Sequence, residues 1–119
     1  MARSKLEALL DKALAELYPH ERIRSDWAIK IPPGRTLYVD RIIPGARVAV
    51  EADGRQHSTF IKYMHGDADG FRSHQERDRI KAEWLAANGY TLVRVAYNET
   101  ISAGMIREKI LAALTAEEE

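Results

Sequence analysis

Residues 4 to 18 place Leu6, Leu9, Leu10, Ala13, Leu14 and Leu17 three or four positions apart, the spacing of one helical face. From Arg22 to Ile31 the period changes to two. Ile23, Trp27, Ile29 and Ile31 fall between mostly polar neighbours, which predicts a strand stopped by Pro32, Pro33 and Gly34. Leu37 to Ile43 and Arg47 to Asp53 are both rich in Val, Ile or Tyr, and the Pro44-Gly45 turn signal between them predicts an antiparallel hairpin. Residues 54 to 70 hold Gly54, Gly66 and Gly70 and show no sustained period, so they are read as a loop that includes His65, Asp67 and Asp69. Ser73 to Asn88 predicts a charged helix ended by Gly89. Thr91 to Ala96 then predicts a short buried strand. The last segment, from about Thr100 to Leu114, predicts a closing helix through Ile101, Met105, Ile106, Ile110, Leu111 and Leu114.

The expected order is therefore α-β-β-β-α-β-α, an α/β chain. At 119 residues and 45% hydrophobic content the chain can bury one core, and a single domain over residues 1–119 is expected, with 115–119 as a disordered acidic tail. No apolar run approaches the 18 residues of a membrane span, and the first residues carry both signs of charge, so neither a span nor a secretory signal is read. The absence of cysteine excludes disulfides and thiolate zinc sites and suits a cytoplasmic setting. Net charge is zero, so any affinity for a polyanion must come from a local patch. The middle of the chain offers one: residues 20 to 81 hold 12 Lys or Arg against 9 Asp or Glu, whereas residues 82 to 119 hold 3 against 6.

Within the hairpin, strand alternation puts Ala49, Glu51 and Asp53 on one face and Val48, Val50 and Ala52 on the other. A two-residue Pro44-Gly45 turn would set Ile43 opposite Ala46 and Asp40 opposite Ala49, on the face of Glu51 and Asp53. Three acids then converge, and such a cluster calls for a raised pKa or a divalent cation. Hard carboxylate oxygens without cysteine favour Mg²⁺ or Mn²⁺ over zinc.

The runs Val39-Asp40-Arg41-Ile42-Ile43-Pro44, Val50-Glu51-Ala52-Asp53-Gly54-Arg55-Gln56-His57, Arg77-Asp78-Arg79-Ile80-Lys81 and Leu92-Val93-Arg94-Val95 together resemble the very-short-patch-repair-like branch of the PD-(D/E)XK nucleases. That branch includes stand-alone phage proteins and catalytic domains of phage homing endonucleases. The resemblance covers roughly residues 4 to 97 and is most specific in the E-x-D-G-x-Q-H string. It implies a restriction-endonuclease-like core with a mixed central sheet flanked by helices. It also implies Asp40 as the central metal ligand, Glu51 as a second acid, and Asp53, Gln56 and His57 completing the site. Glu7 would supply the acid of the first helix, and Asp78 and Lys81 the acid and base of the later one. Helical spacing agrees for that later helix, because His74, Asp78, Lys81 and Leu85 form one stripe, polar at its start and apolar at its end.

Two departures are visible. A cysteine-free chain cannot build the structural zinc of the repair enzymes, and Asp53 stands where the E-x-K lysine would be, which leaves the general base unassigned. Glu7 also fits a capping box with Ser4, and His57 fits a hydrogen-bonded loop histidine as well as a proton-transfer group.

The implied activity is Mg²⁺- or Mn²⁺-dependent hydrolysis of DNA phosphodiester bonds, by nicking with little sequence specificity. Arg55, Lys62, Arg72 and Arg77 would grip the phosphate backbone. Two alternatives share the fold: a nuclease selective for junctions or flaps, and a non-catalytic nucleic-acid-binding module. The expected assembly is a monomer or a homodimer, in the host cytoplasm if the chain is phage-encoded.

Overall fold

A computed structural model of the chain describes residues 5–53, 68–96 and 98–118. Its elements are α1 (Lys5–Leu17), β1 (Arg24–Ile31), β2 (Arg35–Ile43), β3 (Val48–Asp53), α2 (Ala68–Ala87), β4 (Thr91–Ala96) and α3 (Ala103–Glu118). This is the expected order. The four strands form one mixed sheet in the order β1-β2-β3-β4, antiparallel between the first three and parallel between β3 and β4.

The sheet is covered on both faces. Val48 and Val50 join Leu10, Ala13 and Leu14 of α1 and Ile106 and Ile110 of α3 in one core cluster. Ala49 joins Ile42, Leu85 and Tyr90 in a second cluster, on the side of α2. β3 is thus buried on both faces, as a central strand with a parallel neighbour requires. The predicted split between Val48/Val50 and Ala49 is what the structure shows.

Several boundaries differ from expectation. α2 begins at Ala68 rather than Ser73, so residues 68 to 70, expected in the loop, are helical. Gly70 costs such a helix about 1 kcal/mol relative to alanine. α3 begins at Ala103 because Ser102 caps it, its Oγ accepting the Met105 N–H at 3.1 Å. The same helix runs on to Glu118, through residues expected as a disordered tail. Leu9, Leu111 and Leu114, counted among the core positions of their helices, are exposed.

The hairpin turn is a correction with larger consequences. Residues 44 to 47 form a four-residue connection in place of the two-residue turn. Ala46 N–H bonds the Ile43 carbonyl, Arg47 N–H bonds the Pro44 carbonyl, and Arg47 adopts φ of 55°. The register becomes Ile43↔Val48, Ile42↔Ala49 and Arg41↔Val50. Continuing it places Asp40 level with Glu51 rather than Ala49, a shift of two residues that preserves the face. By contrast, Gly89 behaves as its sequence position predicts. At φ of 81° it closes α2 in a Schellman motif, with Tyr90 N–H on the Leu85 carbonyl at 2.9 Å.

Candidate active site

β2 and β3 pair over only three residues, from Ile43↔Val48 to Arg41↔Val50, although β1–β2 pairing continues to Arg35 and β3–β4 pairing to Asp53. Beyond Arg41 and Val50 the two halves of the sheet part, and side chains replace the missing ladder. Asp40 N–H donates to Glu51 Oε2 at 3.1 Å, and Ala52 N–H donates to Asp40 Oδ2 at 2.8 Å. Each carboxylate satisfies a backbone donor that the split would otherwise leave open. Of the three acids expected to converge, Asp40 and Glu51 are in direct contact, and the Asp53 side chain lies outside the described residues.

α2 supplies the cation. Lys81 Nζ forms an ion pair with Glu51 Oε1 and donates to the Tyr38 carbonyl at 3.1 Å, so it bridges the two sides of the split. Asp78 lies one turn earlier, with Lys81 Nζ at 4.0 Å and Arg94 Nη1 of β4 at 3.9 Å. Of the stripe predicted on this helix, Leu85 is fully buried and Lys81 and Asp78 face the acids' neighbourhood, while the His74 side chain lies outside the described residues.

Glu51 is only 4% exposed, and burial pushes its carboxyl up to about 7. The Asp40 charge adds to the rise, and the Lys81 ammonium opposes it. Although it faces Lys81, Oε1 accepts no well-directed hydrogen bond.

On the other side of β2, Arg41 is buried to 2% and held by Asp11 of α1, its Nε donating to Oδ1 at 2.6 Å and its Nη2 to Oδ2 at 3.3 Å. Arg41 Nη1 donates to the Asp40 carbonyl at 2.7 Å. Glu7 is 4.0 Å from Arg41 Nη2, so the acid of the first helix is tied to Asp40 through Arg41. Asp11 has no role in the sequence reading, and Arg41 enters it only within the Val39–Pro44 run. Their positions, 30 residues apart, carry no local signal beyond an acid on a helix and a basic residue in an apolar strand. Arg94 was also missed as a site neighbour.

The remaining expected site residues fall elsewhere. Asp53 ends β3 with its backbone paired to Ala96, and Arg72 lies within α2, but their side chains lie outside the described residues. Arg55, Gln56, His57 and Lys62 lie outside them altogether. Arg77 is exposed on α2. Among the described residues no group of three or more His, Cys, Asp or Glu is placed to hold a metal ion, and the described part of the site offers two carboxylates. No described helix is long and apolar enough to cross a membrane.

Comparison with known proteins finds similar viral chains. The sequence is 36% identical over 61 residues to uncharacterized protein 307L of Invertebrate iridescent virus 6, covering 51% of this chain and 31% of that one. It is 30% identical over 69 residues to uncharacterized protein 033L of Invertebrate iridescent virus 3, covering 58% and 36%. It is 29% identical over 89 residues to uncharacterized protein 094L of Frog virus 3, covering 74% and 57%. The matched regions thus span from about a third to somewhat over half the length of these relatives. No family model and no solved structure matches the chain.

Proposed function

We propose that this chain is a metal-dependent endonuclease with a restriction-endonuclease-like core, hydrolysing phosphodiester bonds in DNA with little sequence specificity of its own. The observation that carries the reading is the Asp40–Glu51 pair set in the split between β2 and β3, with Lys81 against it. Two carboxylates from neighbouring strands and a lysine from a packed helix are the parts that phosphoryl chemistry needs in one place.

The donor set suits Mg²⁺ or Mn²⁺. Both groups are hard oxygen ligands, Glu51 Oε1 is buried without a directed hydrogen bond, and Mg²⁺ is held by one or two carboxylates together with substrate phosphate and water. Asp40 and Glu51 would hold the ion, which would supply an activated water and charge stabilisation at the phosphate. Lys81 would offset charge growing on the phosphate oxygens, a contribution of the kind worth about 10²- to 10³-fold in rate. Asp53, Gln56 and His57 follow Glu51 directly in sequence and remain the candidates for proton transfer. Arg55, Lys62, Arg72 and Arg77 are candidates for backbone contacts.

A second reading is favoured by one feature of the same site. The Lys81 ammonium already lies against Glu51, which suits a non-catalytic nucleic-acid-binding module in which the lysine serves as permanent counter-charge. Supercoiled plasmid incubated with and without Mn²⁺ separates the two. The nuclease reading expects Mn²⁺-dependent conversion to nicked circles that Asp40→Asn abolishes. Intact plasmid after prolonged incubation, or cleavage that survives Asp40→Asn, would overturn it.

A further inference from the structure

Beside the carboxylate pair, a cleft of about 360 Å³ opens between β2 and α2, lined by Thr36, Leu37, Tyr38, Arg77, Asp78 and Lys81. It exists because β2 pairs with β3 only from Arg41 onward, so that Thr36 to Tyr38 pair with β1 on one side only. The cleft is continuous with the site, since Lys81 holds both Glu51 and the Tyr38 carbonyl.

Three properties of this cleft point to one kind of occupant. First, the Tyr38 side chain is 57% exposed, although Leu37 and Val39 on either side are buried, and its backbone is fixed by pairing with Ala28. An aromatic ring presented to solvent on a rigid strand is a stacking platform. Second, the cleft lining holds two cations, Arg77 and Lys81, against the one carboxylate of Asp78. Arg77 makes no ion pair with any described residue, whereas Arg79 is engaged by Glu76 and Glu83, and Asp78 lies between Lys81 and Arg94. Third, Tyr38 precedes Asp40 by two residues, roughly 6.5 Å along a strand, so a group on the ring lies next to one held at the carboxylates.

We infer that this cleft takes one unstacked nucleotide of a single-stranded nucleic acid, its base on Tyr38 and its phosphate against Arg77. The occupant must be unstacked, because a base inside a duplex presents its edge and not its face. Every base has a face to offer, so the contact is indifferent to sequence. Resting on the nuclease reading, this makes the preferred substrate a single strand, a flap or a frayed end rather than intact duplex.

The test is binding of a fluorescent oligodeoxynucleotide by anisotropy, in EDTA so that no cleavage intervenes, with the same sequence offered as single strand and as duplex. The wild-type chain is expected to favour the single strand. Tyr38→Ala should weaken single-strand binding by about tenfold or more while changing duplex binding less than twofold, and Tyr38→Phe should bind like wild type. Arg77→Gln should weaken single-strand binding and reduce its dependence on salt. Circular dichroism melting of each variant identifies any that fail to fold, and Tyr38→Phe retains a ring if Tyr38→Ala does not fold. Equal affinity for both forms, no affinity for the single strand, or the same loss in Tyr38→Phe as in Tyr38→Ala would overturn the inference. The assay is independent of plasmid cleavage. A Tyr38 effect without Mn²⁺-dependent cleavage would sink the nuclease reading alone, and cleavage without a Tyr38 effect would sink the cleft assignment alone.

Discussion

Asp40 and Glu51 each lend a carboxylate oxygen to the other's strand: Glu51 Oε2 accepts the Asp40 N–H, and Asp40 Oδ2 accepts the N–H of Ala52, the residue after Glu51. The two acids are therefore also the pins that hold the open end of the split. Activity and stability will both respond when either is removed, and the choice of substitution decides which effect is measured.

Asp40→Asn keeps an oxygen for the Ala52 N–H, whereas Asp40→Ala leaves that partly buried donor without an acceptor. Loss of such a bond costs about 1–3 kcal/mol. Urea denaturation at neutral pH is expected to place Asp40→Asn within about 1 kcal/mol of wild type and Asp40→Ala lower by at least that much. Equal stabilities would mean that the Asp40 carboxylate does not hold β3 in solution.

Glu51 should make the folded state sensitive to pH. Its carboxyl is pushed from 4.5 up to about 7, chiefly by burial, with Asp40 adding to the rise and Lys81 opposing it. The folded state then binds this proton more tightly than the unfolded chain. The resulting stability is complete below pH 4.5 and is lost as pH rises toward 7, up to about 3 kcal/mol in all. Glu51→Gln carries no such proton. In metal-free buffer, wild type should lose stability relative to Glu51→Gln between pH 5 and pH 8, and parallel stability curves would contradict the assigned burial.

How much of this was legible in the sequence follows from the range of each interaction. The order of elements, the stop at Gly89 and the two faces of β3 depend on periods and caps within a few residues, and the pattern of Val48, Ala49 and Val50 is enough to read them. The hairpin register was not legible, because Pro44-Gly45 marks that a turn exists but not that Ala46 and Arg47 belong to it. Asp40 still reached Glu51, since a shift of two residues keeps the face. The start of α2 was hidden by Gly70, a poor helix former that the first turn nevertheless accommodates. Arg41–Asp11 is a long-range pair that no local pattern announces, whereas Lys81 was set beside Glu51 by the family resemblance and by the stripe of its helix.

The Arg41–Asp11 pair should be among the more sensitive contacts outside the carboxylates. Arg41 is buried and Asp11 is its bidentate partner, so Asp11→Ala leaves an interior guanidinium with only Glu7 at 4.0 Å and the Asp40 carbonyl beside it among the described residues. Breaking a buried pair from one side costs about 3–5 kcal/mol, and the partial exposure of Asp11 argues for the lower end. Replacing both members by apolar residues, Asp11→Leu with Arg41→Met, should recover much of the loss, because the buried guanidinium is gone and Glu7, its more distant neighbour, is 40% exposed. A double-mutant cycle by urea denaturation measures this, and additive losses would show that the pair is not coupled.

Divalent cations offer a check on the site that needs no substrate. An ion that binds only the folded chain raises its stability by about 2.7 kcal/mol at a concentration one hundred times Kd. For a chain of this size that amounts to several degrees in Tm. Mn²⁺ should therefore raise the melting temperature of wild type at pH 8, where Glu51 is ionised, and raise it less at pH 6, where protonation competes. Asp40→Asn and Glu51→Gln should each remove most of the shift. Lys81→Met removes the ammonium that competes for Glu51, so its Mn²⁺ shift should equal or exceed that of wild type, even as cleavage falls by about 10²-fold. A Lys81→Met chain that lost the Mn²⁺ shift would place the lysine in holding the acids together rather than in acting on the phosphate.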